Sequence, residues 1–406
     1  MSLLLKAGDT LRSAPIALLR APVTSRSPSV STAPGRQSSA HRPGSGRRNV
    51  AIDVLRGYCI LMMVTSHTAT QSYVNNSVHL LRFVSGAEGF VFLAGLVLGM
   101  VYRRKLDAAP ARQAYQAIWK RAGMLWAVHC VLTIAAVILN PLLFHYADIP
   151  DVHGIAPWRI AWLTATLQLQ PGHMLNILPL YVFLLGAAPL CFELVRRGKS
   201  AWVLAGSAAI FVYTQFEPGA GRWVAPISGG EAFPPLAWQF LFVPGLVIGY
   251  HSALIRSTIL GPHRRRIMWA LAAACVAMVV LVSVQTANFQ FYNHEAWDLF
   301  LWERHPLRFG RVLYFFLAIA TFYLLAQAWL SAAHRLKLPR FPLDLLATLG
   351  RNSLYAFLVH LAFAFGFGLL QIPPERWLLL EAVPVASVFG IYVMARYQVA
   401  RRWIPN

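Results

Sequence analysis

Residues 55–67 read LRGYCILMMVTSH, an apolar run that carries an arginine at Arg56 and an imidazole at His67. On a helix turning about 100° per residue, eleven steps return to within about 20° of the starting face and rise roughly 16 Å. The two polar groups therefore line one stripe, about half a bilayer core apart. The run belongs to the first of ten apolar stretches near the length that crosses such a core. They lie at about 51–71, 83–102, 122–140, 173–192, 200–217, 235–253, 267–286, 309–331, 345–371 and 377–396. No alternating barrel pattern accompanies them. Hydrophobic residues make up 57% of the 406 and charged residues 13%, with a mean hydropathy of +0.52, too little charge to cover a soluble surface. The expectation is an all-α polytopic membrane bundle of about ten transmembrane helices.

A net charge of +21 raises the question of nucleic acid, and its placement answers it. The N-terminal tail and every second loop carry 27 of the 36 Lys and Arg residues, and the opposite loops carry six. Only Arg56, Arg311 and Arg351 fall within spans. By the positive-inside rule both termini are then cytoplasmic. Basicity here reports topology and anionic lipid, with no nucleic acid as partner. The four cysteines, Cys59, Cys130, Cys191 and Cys275, all sit in spans without metal or disulfide spacing and read as small apolar fillers.

Residues 1–47 form a separate tail, basic, rich in Ser and Pro and nearly free of acids, for which disorder is expected. Its first twenty residues could form a weak amphipathic helix, a composition shared by transit peptides and lipid-touching tails; a start codon placed too far upstream would also produce it. No cleavable secretory signal is evident, since the first strong apolar run is a full-length span. The membrane domain is 48–406. Among its connections, 157–169 reads as a short interfacial or re-entrant helix with Trp158 and Trp162 as anchors. Residues 287–308 combine aromatic rings with Glu295, Asp298, Glu303 and His294, a pairing that suits sugar rings as well as an interfacial aromatic belt.

Ionisable groups at bilayer depth are costly and usually face a cavity and a task. The candidates are Arg56 and His67 in the first stretch, Glu88 opening the second, His129 in the third, and His173 opening the fourth. Arg311 opens the eighth, and Arg351 and His360 lie in the ninth. The alternation of loops puts His67 and Glu88 near the outer face, joined by a short hairpin, so a His67–Glu88 contact is expected. A carboxylate on one imidazole nitrogen fixes the tautomer and raises the basicity of the other, which suits a base that takes a proton from a hydroxyl. Arg56, with Asp53 three residues before it, could hold a phosphate-bearing donor arriving from the cytoplasm. Snorkelling to the headgroups accounts for Arg56 as well, and packing accounts for His129.

AIDVLRGYCILMMVTSH (51–67) followed by GAEGFVFLAGLVLGMVYRR (86–104) resembles the start of the OpgC family, membrane succinyltransferases of osmoregulated periplasmic glucans. The likeness continues in QPGHMLNILPLYVFLL, PLAWQFLFVPGLVIGY, RFGRVLYFFLAIA and LGRNSLYAFLVH, spanning about 48–396. The family itself resembles the wider acyltransferase-3 group, whose first span carries an R-x10-H motif that Arg56 and His67 match. The resemblance implies an O-acyltransferase of the bacterial inner membrane. It would move an acyl group, succinyl in the family's case, from cytoplasmic acyl-CoA to hydroxyls of a periplasmic glucan or other envelope glycan. By that analogy His67 is the general base, Arg56 contacts the donor, and no bound cofactor or metal is called for. His173, His360, Tyr355 and Ser353 are second-tier candidates for the cavity wall. Arg308 and Arg311 are candidates to pair with a donor carboxylate. Direct transfer to the acceptor is favoured over an acyl-enzyme on a group such as Ser66, because no nucleophile with a dedicated base stands out. The rival from another class is a secondary transporter of a small anionic solute, which would also bury His, Arg and Glu.

Overall fold

The structure is a computed structural model that describes residues 49–81, 83–146, 149–172, 174–228, 233–255, 257, 261–287, 301–304, 307–336, 341–368, 372–373 and 375–399. The basic tail at 1–47 lies outside these residues. So do His173, His294, Glu295 and Asp298.

Among the described residues the regular elements are helices, with no strand. In chain order they are α1 (Val50–Thr68), α2 (Tyr73–Val78), α3 (Gly86–Ala108), α4 (Ala111–Leu139), α5 (Pro157–Ala165), α6 (Ile177–Arg196) and α7 (Ser200–Phe216). There follow α8 (Pro235–Tyr250), α9 (Ser252–Ile255), α10 (Gly261–Ala287), α11 (Phe309–Arg335), α12 (Phe341–Arg351), α13 (Ser353–Gly368) and α14 (Trp377–Tyr397). Six are long and apolar enough to cross a membrane: α1, α3, α4 with the π turn that continues it, α6, α11 and α14. The helices α7, α8 and α13 are apolar but shorter. Trp202, Phe216, Leu190 and Val131 stand exposed on the outward faces, an arrangement that water would not tolerate over so wide a surface.

The first span is the hub. Helix α1 starts at Asn49, whose side chain accepts from the Ala51 amide at 3.2 Å, and packs against α3, α11, α12, α13 and α14. Residues from Ala51 to Thr65 are buried nearly all round, as befits a helix enclosed by others. Close approach to α12 depends on two glycines. A Cβ at Gly57 would lie 1.9 Å from the Leu346 carbonyl oxygen, and one at Gly350 would lie 1.7 Å from that of Asp53. A second tight crossing joins α3 to α8 through matching sequences, GLVLG at 95–99 and GLVIG at 245–249. Each helix sets its two glycines against the other's backbone: a Cβ on Gly99 would meet Leu246 O at 2.2 Å, and one on Gly249 would meet Leu96 O at 2.1 Å. Small residues four apart let membrane helices approach this closely and replace the hydrophobic drive that lipid removes.

Two expectations need correction. The single stretch at 345–371 is two helices, α12 and α13, parted at Asn352. The Asn352 side-chain amide donates to Thr348 O at 3.0 Å, a local bond that competes with helix continuation. The interfacial helix expected over 157–169 ends at Ala165, and Leu167 turns into the left-handed region at φ 63°. Trp158 and Trp162 remain exposed on it. The short α2, not anticipated from periodicity, is capped by Ser72 and tied to α14, where the Glu381 carboxylate accepts from the Tyr73 and Val74 amides at 2.7 and 2.9 Å.

Candidate active site

His67 sits in the last turn of α1, and its Nδ1 lies 3.0 Å from His360 Nε2 on α13. The rings stack with centroids 5.2 Å apart. His360 Nδ1 bonds the Phe357 carbonyl oxygen one turn earlier. A carbonyl only accepts, so His360 Nδ1 carries a proton, and in a neutral imidazole its Nε2 is then an acceptor. His67 must therefore donate from Nδ1, which leaves the His67 lone pair on Nε2. Backbone geometry on α13 thus sets the tautomer of an imidazole on α1. His67 lines a cavity of about 380 Å³ together with Ser66, Thr70, His79, Ser85 and Arg304.

The expected His67–Glu88 contact does not form. Glu88 is wholly buried and accepts from Arg311 Nε at 2.6 Å, from the Ser85 amide at 3.0 Å and from the Ser85 hydroxyl. Ser85 and Glu88 form a capping box at the start of α3, and the buried Arg311 requires a counter-charge, so both oxygens are engaged. Arg311 also donates to Trp302 O at 3.3 Å. Arg308 donates to Gln215 O at 2.8 Å and lies 3.8 Å from Glu303. Neither arginine lines the His67 cavity; Arg304 does.

At the other end of the stripe, Arg56 Nη2 donates to Ser353 Oγ at the start of α13. Both residues line a second cavity of about 230 Å³, with Arg121, Arg351, Tyr102 and Tyr355. Tyr355 donates its hydroxyl to Val399 O at 2.5 Å, and Asp53 is buried one turn before Arg56. Phe357 lines both cavities. Phe90 stacks on it at 5.8 Å, and Tyr181 meets Phe90 edge-on at 5.6 Å. An aromatic wall therefore stands between a cavity with three arginines and the one that His67 lines. His129 is buried away from both, its Nδ1 3.3 Å from Thr133 Oγ1. Among the described residues no cluster of three His, Cys, Asp or Glu side chains is placed to hold a metal.

Residues 48–405 match the family model described as OpgC protein. The chain belongs to the OpgC family. No curated protein and no solved structure matched it. OpgC membership, with the membrane-capable helices, suggests a glucan-modifying acyltransferase of the membrane.

In this OpgC chain the structure brings His67 and His360 together, and Arg56 with Ser353 and Tyr355. It engages Glu88 with Arg311 and Ser85, and Arg308 with Gln215 and Glu303. The sequence reading missed three residues of the two cavities. Arg121 sits within a basic run, and Arg304 within WERHPLR, where only a cavity distinguishes one arginine from the next. His79 closes α2, with Nδ1 2.9 Å from Asn75 O and Nε2 3.1 Å from Ser66 Oγ. One signal was legible: S-x-x-E at 85–88 marks a helix start, and it already argued that Glu88 would be engaged there.

Proposed function

We propose that this OpgC chain is an integral-membrane O-acyltransferase of the bacterial inner membrane, with ten spans and both termini cytoplasmic. It moves an acyl group, succinyl in the favoured reading, from cytoplasmic acyl-CoA to a hydroxyl of a periplasmic glucan or other envelope glycan. The observation that carries this reading is the pair of cavities at opposite ends of the Arg56–His67 stripe, parted by Phe357. Arg56, Arg121 and Arg351 suit the phosphates of a CoA donor. The basic loops put that end in the cytoplasm.

In the direct route the acceptor hydroxyl gives its proton to His67 Nε2 as its oxygen attacks the thioester carbonyl. The C–S bond then breaks, and the departing thiolate takes the proton back from His67, leaving an ester and a free thiol. The His360 acceptor holds His67 in the tautomer that this step needs. A second reading is favoured by one observation, the Ser66 hydroxyl 3.1 Å from His79 Nε2. The Asn75 carbonyl sets the His79 tautomer as Phe357 sets that of His360, so His79 could take the Ser66 proton. Ser66 Oγ would then attack the thioester carbonyl, and the C–S bond would break with the thiolate taking the proton from His79. The acceptor hydroxyl would then displace the acyl group from Ser66.

The test is mass spectrometry of envelope glycans from a deletion strain complemented with wild type, His67→Ala or Arg56→Ala at matched membrane levels. Acyl mass increments should vanish in the deletion, return with wild type and stay absent with His67→Ala. Full restoration by His67→Ala would end the general-base role. An unchanged glycan in the deletion strain would end the glycan assignment and leave transport of an anionic solute to be tested by vesicle uptake. An acyl adduct on the Ser66 peptide would select the covalent route.

A further inference from the structure

Arg304 lines the His67 cavity, and among the described residues no carboxylate forms an ion pair with it. Of the arginines at 304, 308 and 311, Arg311 takes Glu88 and Arg308 takes Gln215 O and Glu303. Both Glu88 oxygens are occupied, one by Arg311 and the other by Ser85. Arg304 Nε is buried and has no hydrogen-bond partner among the described residues, and no described carboxylate lies within ion-pair distance of its guanidinium. What the guanidinium does meet is the Phe233 ring, 5.3 Å from its carbon to the ring centroid. Stacking of this kind fixes the plane of the fork while leaving its edge N–H groups to bond something else. Phe233 lines the same cavity as Arg304 and His67. Burial pushes Arg304 below the ordinary arginine value, and Glu88 nearby partly offsets that.

We propose that Arg304 is an anion-binding subsite of the His67 cavity, taking a single carboxylate or like group carried by a molecule bound at His67. This rests on the transferase reading for what that molecule is, but not for the presence of the anion site. Two sources share the chemistry: the far carboxylate of the acyl group in transit, and an anionic substituent on the acceptor. A cavity of about 380 Å³ is at the small end of ligand sites, with room for a short acyl group beside part of a sugar ring. The planar fork discriminates because a neutral group of the same length would leave its N–H donors unanswered.

The test uses the purified full chain, with Arg304→Gln and Arg304→Lys as variants; the lysine keeps the charge but loses the fork. One arm follows thermal unfolding with monomethyl succinate, an anion, against methyl butyrate, its neutral counterpart of equal length. Stabilisation by the anion alone is expected in wild type, with loss in Arg304→Gln and partial retention in Arg304→Lys. A second arm compares succinyl-CoA with butyryl-CoA on a neutral glucan oligosaccharide and on its carboxymethylated form. The succinyl-to-butyryl ratio of kcat/KM should fall by about tenfold or more in Arg304→Gln, as loss of a charge-assisted contact predicts. If the glucan preference falls instead, the anion belongs to the acceptor and the subsite stands. Should anion binding depend on Arg304 while no donor is consumed, the transferase reading fails and the subsite survives. A wild type blind to the anion in both arms, or an Arg304→Gln that keeps the wild-type discrimination, overturns the proposal.

Discussion

His67 would be an unremarkable helix-end histidine without His360. The second imidazole decides which nitrogen of the first holds the lone pair, and a backbone carbonyl decides the second. Removing His67 as Ala should lower the transfer rate by about 10²–10⁴-fold, the usual span for a positioned base. His360→Phe keeps a ring against His67 but offers no acceptor, so kcat should fall with little change in KM. His360→Gln, whose carbonyl oxygen can accept from Nδ1, should recover part of the loss; equal kcat in the Phe and Gln variants would refute the orienting role. Glu88 makes the opposite case. Glu88→Gln leaves Arg311 buried without its counter-charge, which costs about 3–5 kcal/mol for a buried pair. The variant should unfold at lower temperature in detergent, and pairing it with Arg311→Met should regain stability. If Glu88→Gln instead unfolds like wild type and abolishes turnover, Glu88 belongs to the chemistry after all.

Helices α3 and α8 meet along two GxxxG edges, and the contact is backbone on backbone. A methyl group at Gly99 has no room, because the atom it would strike is the Leu246 carbonyl oxygen 2.2 Å away. Gly99→Ala should therefore part the helices and cost about 1–3 kcal/mol, as overpacking does. Gly123 on α4 has nothing within 4 Å of its would-be Cβ, so Gly123→Ala should leave stability unchanged or raise it by up to about 1 kcal/mol through helix propensity. Thermal unfolding of the two variants side by side checks the crossing, and equal values would dismiss it. The parting of α12 from α13 at Asn352 works at the same level. It puts Ser353 at a helix start, where Arg56 reaches it, and from one short helix it sets Phe357 against both cavities and His360 against His67.

For the molecule as a whole, the chemistry needs a sidedness that the loop charges imply. In a cysteine-free background, a single cysteine at Gly198, between α6 and α7, should be reached by a membrane-impermeant maleimide only from the cytoplasm. One at Gly219, between α7 and α8, should react from the opposite side. Labelling of both from one side would break the ten-span order, and an exchange of the two sides would invert it. The aromatic wall at Phe357 acquires its meaning at this level too, since it separates a space suited to phosphates from one that holds the proposed base.

Membrane class, the ten apolar stretches and the Arg56–His67 spacing were all legible in one dimension. Span length, loop charge and an eleven-residue spacing are local properties, and helix geometry converts them directly into depth and face. The partners were not legible. His67 meets a residue 293 positions away, Arg56 one 297 away, and Glu88 one 223 away. A short hairpin made Glu88 the natural neighbour for His67, yet the capping box and a buried arginine claimed it first. Which arginine among 304, 308 and 311 lines the cavity is a matter of tertiary packing, because Glu88, Glu303 and the Gln215 carbonyl engage two of the three while the third stands on the cavity wall with His67.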